Sequence, residues 1–204
     1  NIRWADVDKK KVSFVWTKIS EGQDHRAKHS ARNLEMCRSV GIPVGGYHFP
    51  TPQRGGSDDA KLEAQAFLSF YGNTIPAGDM LPVLDLEAGI KGDANHNREW
   101  ALDWLKEIEN RTGIRAAVYT AKWYVNAYLK KDVGELANYP LWIADYSDKR
   151  NEPDTLCGWE KWSAWQWTSK GKIRGLDSTG IRHVDRNWLS GGPEAFKSLT
   201  VCDD

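Results

Sequence analysis

Apolar residues recur along this chain with two periods. Short alternating or wholly apolar runs predict strands at 12–19 (VSFVWTKI), 42–49 (IPVGGYHF), 79–87 (DMLPVLDLE), 114–120 (IRAAVYT) and 139–147 (YPLWIADYS). Helical spacing lies between them. The stretch 29–41 places Leu34, Cys37 and Val40 on one face and stops at Gly41. The stretch 57–72 opens on capping residues and lines up Ala60, Ala64, Phe67 and Leu68. The most amphipathic helix is 97–113, with Trp100, Trp104, Leu105 and Ile108 on one side and Gly113 at its end. A short helix is predicted at 121–129. Beyond about residue 147 the pattern changes. WSAWQWTS (162–169), KIRGL (172–176) and HVDRNWL (183–189) read as strands with short links and no long helix.

Strands alternating with helices imply a parallel sheet with helices outside, and the final third implies closure by hairpins. The expected architecture is a single α/β domain over 1–204, barrel-like with an irregular last third. No linker-like run and no internal repeat divides it.

Charge and composition narrow the classes. Twenty-eight basic residues balance 28 acidic ones, so nothing suggests a bulk nucleic-acid binder. No run of about 18 apolar residues predicts a membrane-inserted helix, and the opening NIRWADVDKKK lacks the apolar core of a signal peptide. The three cysteines, Cys37, Cys157 and Cys202, are too few and too widely spaced for a disulfide framework or a zinc site. Free thiols are expected, with a Cys157–Cys202 bond as the alternative. His25, His29, His96 and His183 show no metal-ligand spacing, so no metal is expected. Tryptophan is abundant at 11, and seven of them lie between Trp123 and Trp188. Indole rings fill cores, and they also stack on the flat apolar faces of sugars.

The stretch LPVLDLEAGI (81–90) carries the most pointed chemistry. Strand side chains alternate, so Asp85 and Glu87 share a face, with Cα atoms about 6–7 Å apart. Carboxyls this close raise one another's affinity for a proton. One protonated and one ionised carboxyl is what glycoside hydrolysis uses. In barrels of this type the chemistry sits where the strands end. An isolated Asp-x-Glu is a weak signal, and two solvated carboxylates at a loop start is its ordinary reading.

The order KISEG (18–22), GIPVGGYHFP (41–50), LPVLDLE (81–87), AAVYT (116–120), YPLWIADY (139–146), WSAWQWTS (162–169) and HVDRN (183–187) resembles the Chalaropsis-type lysozymes of glycoside hydrolase family 25 across almost the whole chain. The resemblance implies a modified TIM-like barrel of eight strands with about five helices, (β/α)5(β)3. It implies a muramidase that cleaves the β-1,4 bond between N-acetylmuramic acid and N-acetylglucosamine in the glycan strands of bacterial peptidoglycan. Such an enzyme works outside the cytoplasm on the cell wall, secreted or phage-released as an endolysin or virion component, without a cofactor and as a monomer unless part of a larger phage assembly. Position by position, the resemblance makes Glu87 the general acid and Asp85 the group that orients the substrate's 2-acetamido function for substrate-assisted attack, with Asp185 a third acid tuning the pair. Glu21, Tyr47, Tyr119, Trp142, Tyr146, Trp165 and Gln166 match positions that line the sugar groove. His48 reads either as a catalytic base or as a hydrogen-bonded structural residue.

One departure stands out. The family's first strand carries an Asp-x-Ser element, and this sequence starts at NIRW, just past it. The expectation is a barrel lacking its first strand, with a further N-terminal segment in the natural protein. That departure also motivates a non-catalytic wall-binding domain as the alternative function. A substrate-assisted chitinase fits less well, because the aspartate expected two residues before Asp85 is Val83.

Overall fold

The computed structural model describes residues 2–52, 56–88, 92–146, 152–153, 158–173 and 183–202. Among them eight strands form one curved sheet. They are β1 (Val15–Glu21), β2 (His25–Arg26), β3 (Val44–Phe49), β4 (Val83–Leu86), β5 (Ala117–Ala121), β6 (Leu141–Ala144), β7 (Ala164–Gly171) and β8 (Val184–Leu189). The order is β2-β1-β3-β4-β5-β6-β7-β8, parallel from β1 to β7 and antiparallel at both ends. Five α-helices accompany it: α1 (Ser30–Ser39), α2 (Gly56–Tyr71), α3 (Ala94–Thr112), α4 (Lys122–Tyr128) and α5 (Gly192–Ser198). Four strand–helix units are thus followed by three strands, with no helix between them among the described residues. Among the described residues β1 and β8 do not pair, so the sheet curls as a barrel does and stays open along that seam. Residues 174–176 of the expected KIRGL strand, and Cys157, lie outside the described residues. Cys37 and Cys202 are free thiols.

The helices form for local reasons and stay for packing ones. The Asp93 side chain accepts the His96 amide and caps α3, and Gly113 ends it in the left-handed region at φ 71°. Trp100, Trp104, Leu105 and Ile108 are buried on the face that meets the sheet and α2. At β3 both layers come close. A Cβ on Gly45 would stand 2.6 Å from the Trp16 ring and 2.7 Å from Met80 Cβ, inside the curl. One on Gly46 would stand 2.3 Å from Ile19 and 2.7 Å from Tyr71, on the helix side. Two side-chain-free positions therefore let large residues pack against both faces of one strand.

Two buried polar clusters lock the outer layer. His48 stands between Ser20 Oγ (2.8 Å from Nδ1) and Glu63 Oε2 (2.7 Å from Nε2), and the Thr51 amide donates to Glu63. The imidazole stacks on Trp104 at 5.4 Å. Burial pushes the His48 pKa down to about 3 and that of Glu63 up to about 8, so the pair is held neutral. Elsewhere Asp79 accepts from Arg38 Nε (3.1 Å), Arg38 Nη2 (2.5 Å) and Tyr71 Oη (2.7 Å). Beside it Leu81 N donates to Leu199 O, and Val201 N to Asp79 O, which pins the C-terminal segment across the base of the curl.

Candidate active site

Inside the curl, the inward-facing residues of successive strands surround a cavity of about 420 Å³. Alternation decides which they are. Tyr47 comes from β3, Asp85 and Glu87 from the end of β4, Tyr119 from β5, Trp142 from β6, Gln166 from β7, and Asp185 with Asn187 from β8. The sheet thus gathers Asp85, Glu87 and Asp185 at one cavity, though 98 residues of sequence separate the last two.

Asp85 is the deepest of the three, 6% exposed, and its Oδ1 has no hydrogen-bond partner. Burial first, then the charges of Glu87 and Asp185, raise its pKa from 3.8 to about 8, against the opposing pull of Lys18. Glu87 lies more open, at the strand's end. Its pKa is also raised by burial, with Asp185 adding to the rise and a hydrogen bond from Tyr119 opposing it. Burial raises Asp185 in turn. Three carboxyls whose burial disfavours ionisation thus share one cavity, an arrangement suited to proton transfer.

Around them runs a hydroxyl–amide network. Tyr119 Oη stands 2.9 Å from Gln166 Oε1 and 3.4 Å from Glu87 Oε2, with one proton for two acceptors. Tyr146 Oη also donates to Gln166 Oε1. Tyr146 is 53% exposed, so its ring stands at the rim. The wall is aromatic: Trp142 stacks on Trp16 at 4.5 Å and meets Tyr119 edge-on at 4.8 Å. Trp142 Nε1 donates to Asn187, and Trp16 Nε1 to the Leu81 carbonyl.

Not every residue expected in the groove is there. Trp165 sits on the outer face, buried in the helix-side core, with Nε1 donating to the Asp145 carbonyl. As a neighbour of inward-facing Gln166 on one strand it must point the other way. Glu21 does not line the cavity; its carboxylate accepts from Lys18 Nζ at 2.6 Å. Trp142 is a wall residue with one face against Trp16. His48, 0% exposed and bonded behind β3, belongs to the outer layer. Trp16, Lys18 and Asn187 line the cavity without having been singled out. Alternation through VSFVWTKI would have marked Trp16, and the same count from Asp185 would have marked Asn187. Among the described residues no group of three His, Cys, Asp or Glu side chains could hold a metal, and no helix is long and apolar enough to cross a membrane.

Known proteins share this design. The chain is 29% identical over 203 residues to the uncharacterized protein YegX of Escherichia coli O6:H1, covering 97% of this chain and 68% of that protein. It is 26% identical over 206 residues to Lysozyme M1 of Streptomyces globisporus, covering 98% of this chain and 67% of that protein. The crystal structure of the bacterial lysozyme from Streptomyces coelicolor superimposes with a TM-score of 0.85 at 25% identity, covering 98% of this chain and 91% of that one. The model of the glycosyl hydrolases family 25 matches residues 1–176, a span that includes β1 to β7 and the Asp85/Glu87 pair. The chain belongs to glycosyl hydrolase family 25.

Proposed function

We propose that this chain is a muramidase, hydrolysing the β-1,4 bond between N-acetylmuramic acid and N-acetylglucosamine in peptidoglycan outside the cytoplasm. The observation that carries the reading is the Asp85/Glu87 pair, set at the end of one strand and open to the cavity, with burial raising Asp85 to about 8 and Glu87 above its ordinary value. Glu87 is the longer and more open of the two, so it reaches the glycosidic oxygen and protonates the leaving group. Asp85 lies deeper, and its orphaned Oδ1 awaits a donor. The N–H of a 2-acetamido group is such a donor. A hydrogen bond to the ionised carboxyl favours ionisation, so substrate binding itself prepares Asp85 to orient the acetamide and to balance the positive charge that develops on it. The acetamide oxygen closes on the anomeric carbon as the leaving group departs with the proton from Glu87. Water then opens the resulting ring, returning a proton to Glu87.

Asp185 restrains ionisation of Glu87 from across the cavity. Tyr47, Tyr119, Tyr146 and Gln166 supply polar contacts to the sugars, and Trp142 the apolar wall. The decisive experiment is Glu87→Gln assayed by release of reducing ends from purified cell walls. Loss of about a hundredfold or more is expected for a missing general acid; near-normal turnover would remove Glu87 from that role.

A further inference from the structure

β1 carries an irregularity that changes what faces the cavity. Lys18 pairs with Tyr47, Ser20 with His48 and Glu21 with Phe49, so the register shifts at Ile19. Strict alternation would put Lys18 and Glu21 on opposite faces. The bulge puts both on the inner face and turns Ile19 and Ser20 outward, Ile19 into the helix-side core and Ser20 onto His48. Lys18 Nζ then donates to Glu21 Oε2 at 2.6 Å and lies 4.5 Å from the centre of the Phe49 ring. An ammonium so held keeps further donors for other acceptors. Lys18 lines the same cavity as Asp85, Glu87 and Asp185, and among the described residues it is the one basic side chain that does.

We propose that Lys18 is a positioning residue of the reaction: its ammonium, fixed by Glu21 and Phe49 through the bulge, is the counter-charge that allows Asp85 to act as an anion beside Glu87. The inference rests on the muramidase reading for its chemistry and on the bulge for its geometry. Lys18 shares the cavity with Tyr47 on β3, Asp85 and Glu87 on β4, Tyr119 on β5 and Asp185 on β8, and Glu21 pairs with it on its own strand; its charge also acts on His48 behind β3, and His25 on β2 acts on Glu21. The charge of Lys18 opposes the burial that protonates both Asp85 and Glu87. Without it both carboxyls hold their protons to higher pH.

The test compares wild type with Lys18→Met, Lys18→Arg and Glu21→Gln. In wall hydrolysis, Lys18→Met is expected to move both limbs of the pH–rate profile upward and to lower kcat about tenfold or more while KM stays within about threefold, because a lost electrostatic contribution falls on the transition state. Lys18→Arg keeps the charge and should leave the profile where the wild type has it. Titration of the Asp85 carboxyl carbon by NMR provides a readout that needs no turnover. Its midpoint should rise in Lys18→Met and hold in Lys18→Arg. In Glu21→Gln it should fall, because Lys18 there loses the partner that neutralises it. If Lys18→Met does not fold, the opposite behaviour of Glu21→Gln and the constancy of Lys18→Arg still decide the matter. An unmoved Asp85 midpoint and an unmoved profile, whatever happens to the rate, would reduce Lys18 to a packing residue. A wild type that titrates as expected and releases no reducing ends would instead overturn the muramidase reading and leave the Lys18–Asp85 coupling standing.

Discussion

Replacing Asp85 by asparagine should make the protein harder to unfold, and more so at alkaline than at acid pH. Burial and the neighbouring carboxyls raise the Asp85 pKa from 3.8 to about 8 in the folded chain. Between those values the folded protein keeps a proton that the unfolded chain releases, so stability falls as pH rises. The contribution is fully present below about pH 3.8 and is gone once the pH has passed about 8. At about 1.4 kcal/mol per pH unit the full rise sets a ceiling near 6 kcal/mol. Screening at an effective dielectric near 20, in a cavity open to water, brings the expected difference to about 2–3 kcal/mol. Asparagine keeps the shape and never ionises. Urea unfolding followed by tryptophan fluorescence, at pH 4.5 and 8.5, would compare the two proteins. Glu63, Glu87 and Asp185 contribute to both curves, so the difference between them isolates position 85. The gap should be small at pH 4.5 and widen by about 2–3 kcal/mol at pH 8.5, while wall hydrolysis is lost. A gap that does not widen would refute the claim that Asp85 is held protonated by its surroundings.

Tyr119→Phe removes the hydroxyl that reaches Gln166 and Glu87; kcat should fall about tenfold, the worth of a hydrogen bond to a charged group, and the alkaline limb of the pH–rate profile should move upward. Gly45→Ala places a methyl 2.6 Å from the Trp16 ring and 2.7 Å from Met80 Cβ; overpacking of this kind costs about 1–3 kcal/mol, read as an earlier urea midpoint. Asp79→Ala leaves the buried Tyr71 hydroxyl without its acceptor and releases Arg38 to water; loss of a hydrogen bond to a charged group costs about 1.5–3 kcal/mol, measured by the same unfolding curve.

Much of the fold was legible because strands in a curved parallel sheet are nearly continuous apolar runs and the helices between them are amphipathic. The spans 44–49, 83–86 and 141–144 fall within their expected segments, and 117–121 overruns its own by one residue. α3 begins three residues before its apolar pattern does, since Asp93 starts it from outside that pattern. The two-residue β2 is too short for any period to register, and α5 opens on Gly192 and Pro193, which read as loop. Within the site, alternation is the informative signal, and its neglect explains the one misplaced aromatic: Trp165 and Gln166 are adjacent on a strand and cannot share a groove. The Lys18–Glu21 pair was hidden for the opposite reason. There the alternation is broken by a bulge, which depends on pairing with β3 and leaves no mark in β1 alone.

The strand order has a consequence in time. From β1 onward, setting aside the short β2, each strand pairs with the one made immediately before it. During synthesis, at about 5–20 residues per second, every emerging strand finds its partner already displayed, and the growing edge is always the newest strand. No long-range pairing has to wait for a distant segment until the C-terminal one crosses to Met80 and Leu81. Asp185 and Asn187 arrive on β8. A nascent chain therefore carries Asp85 and Glu87 for roughly a hundred residues of elongation before the cavity acquires its third carboxyl.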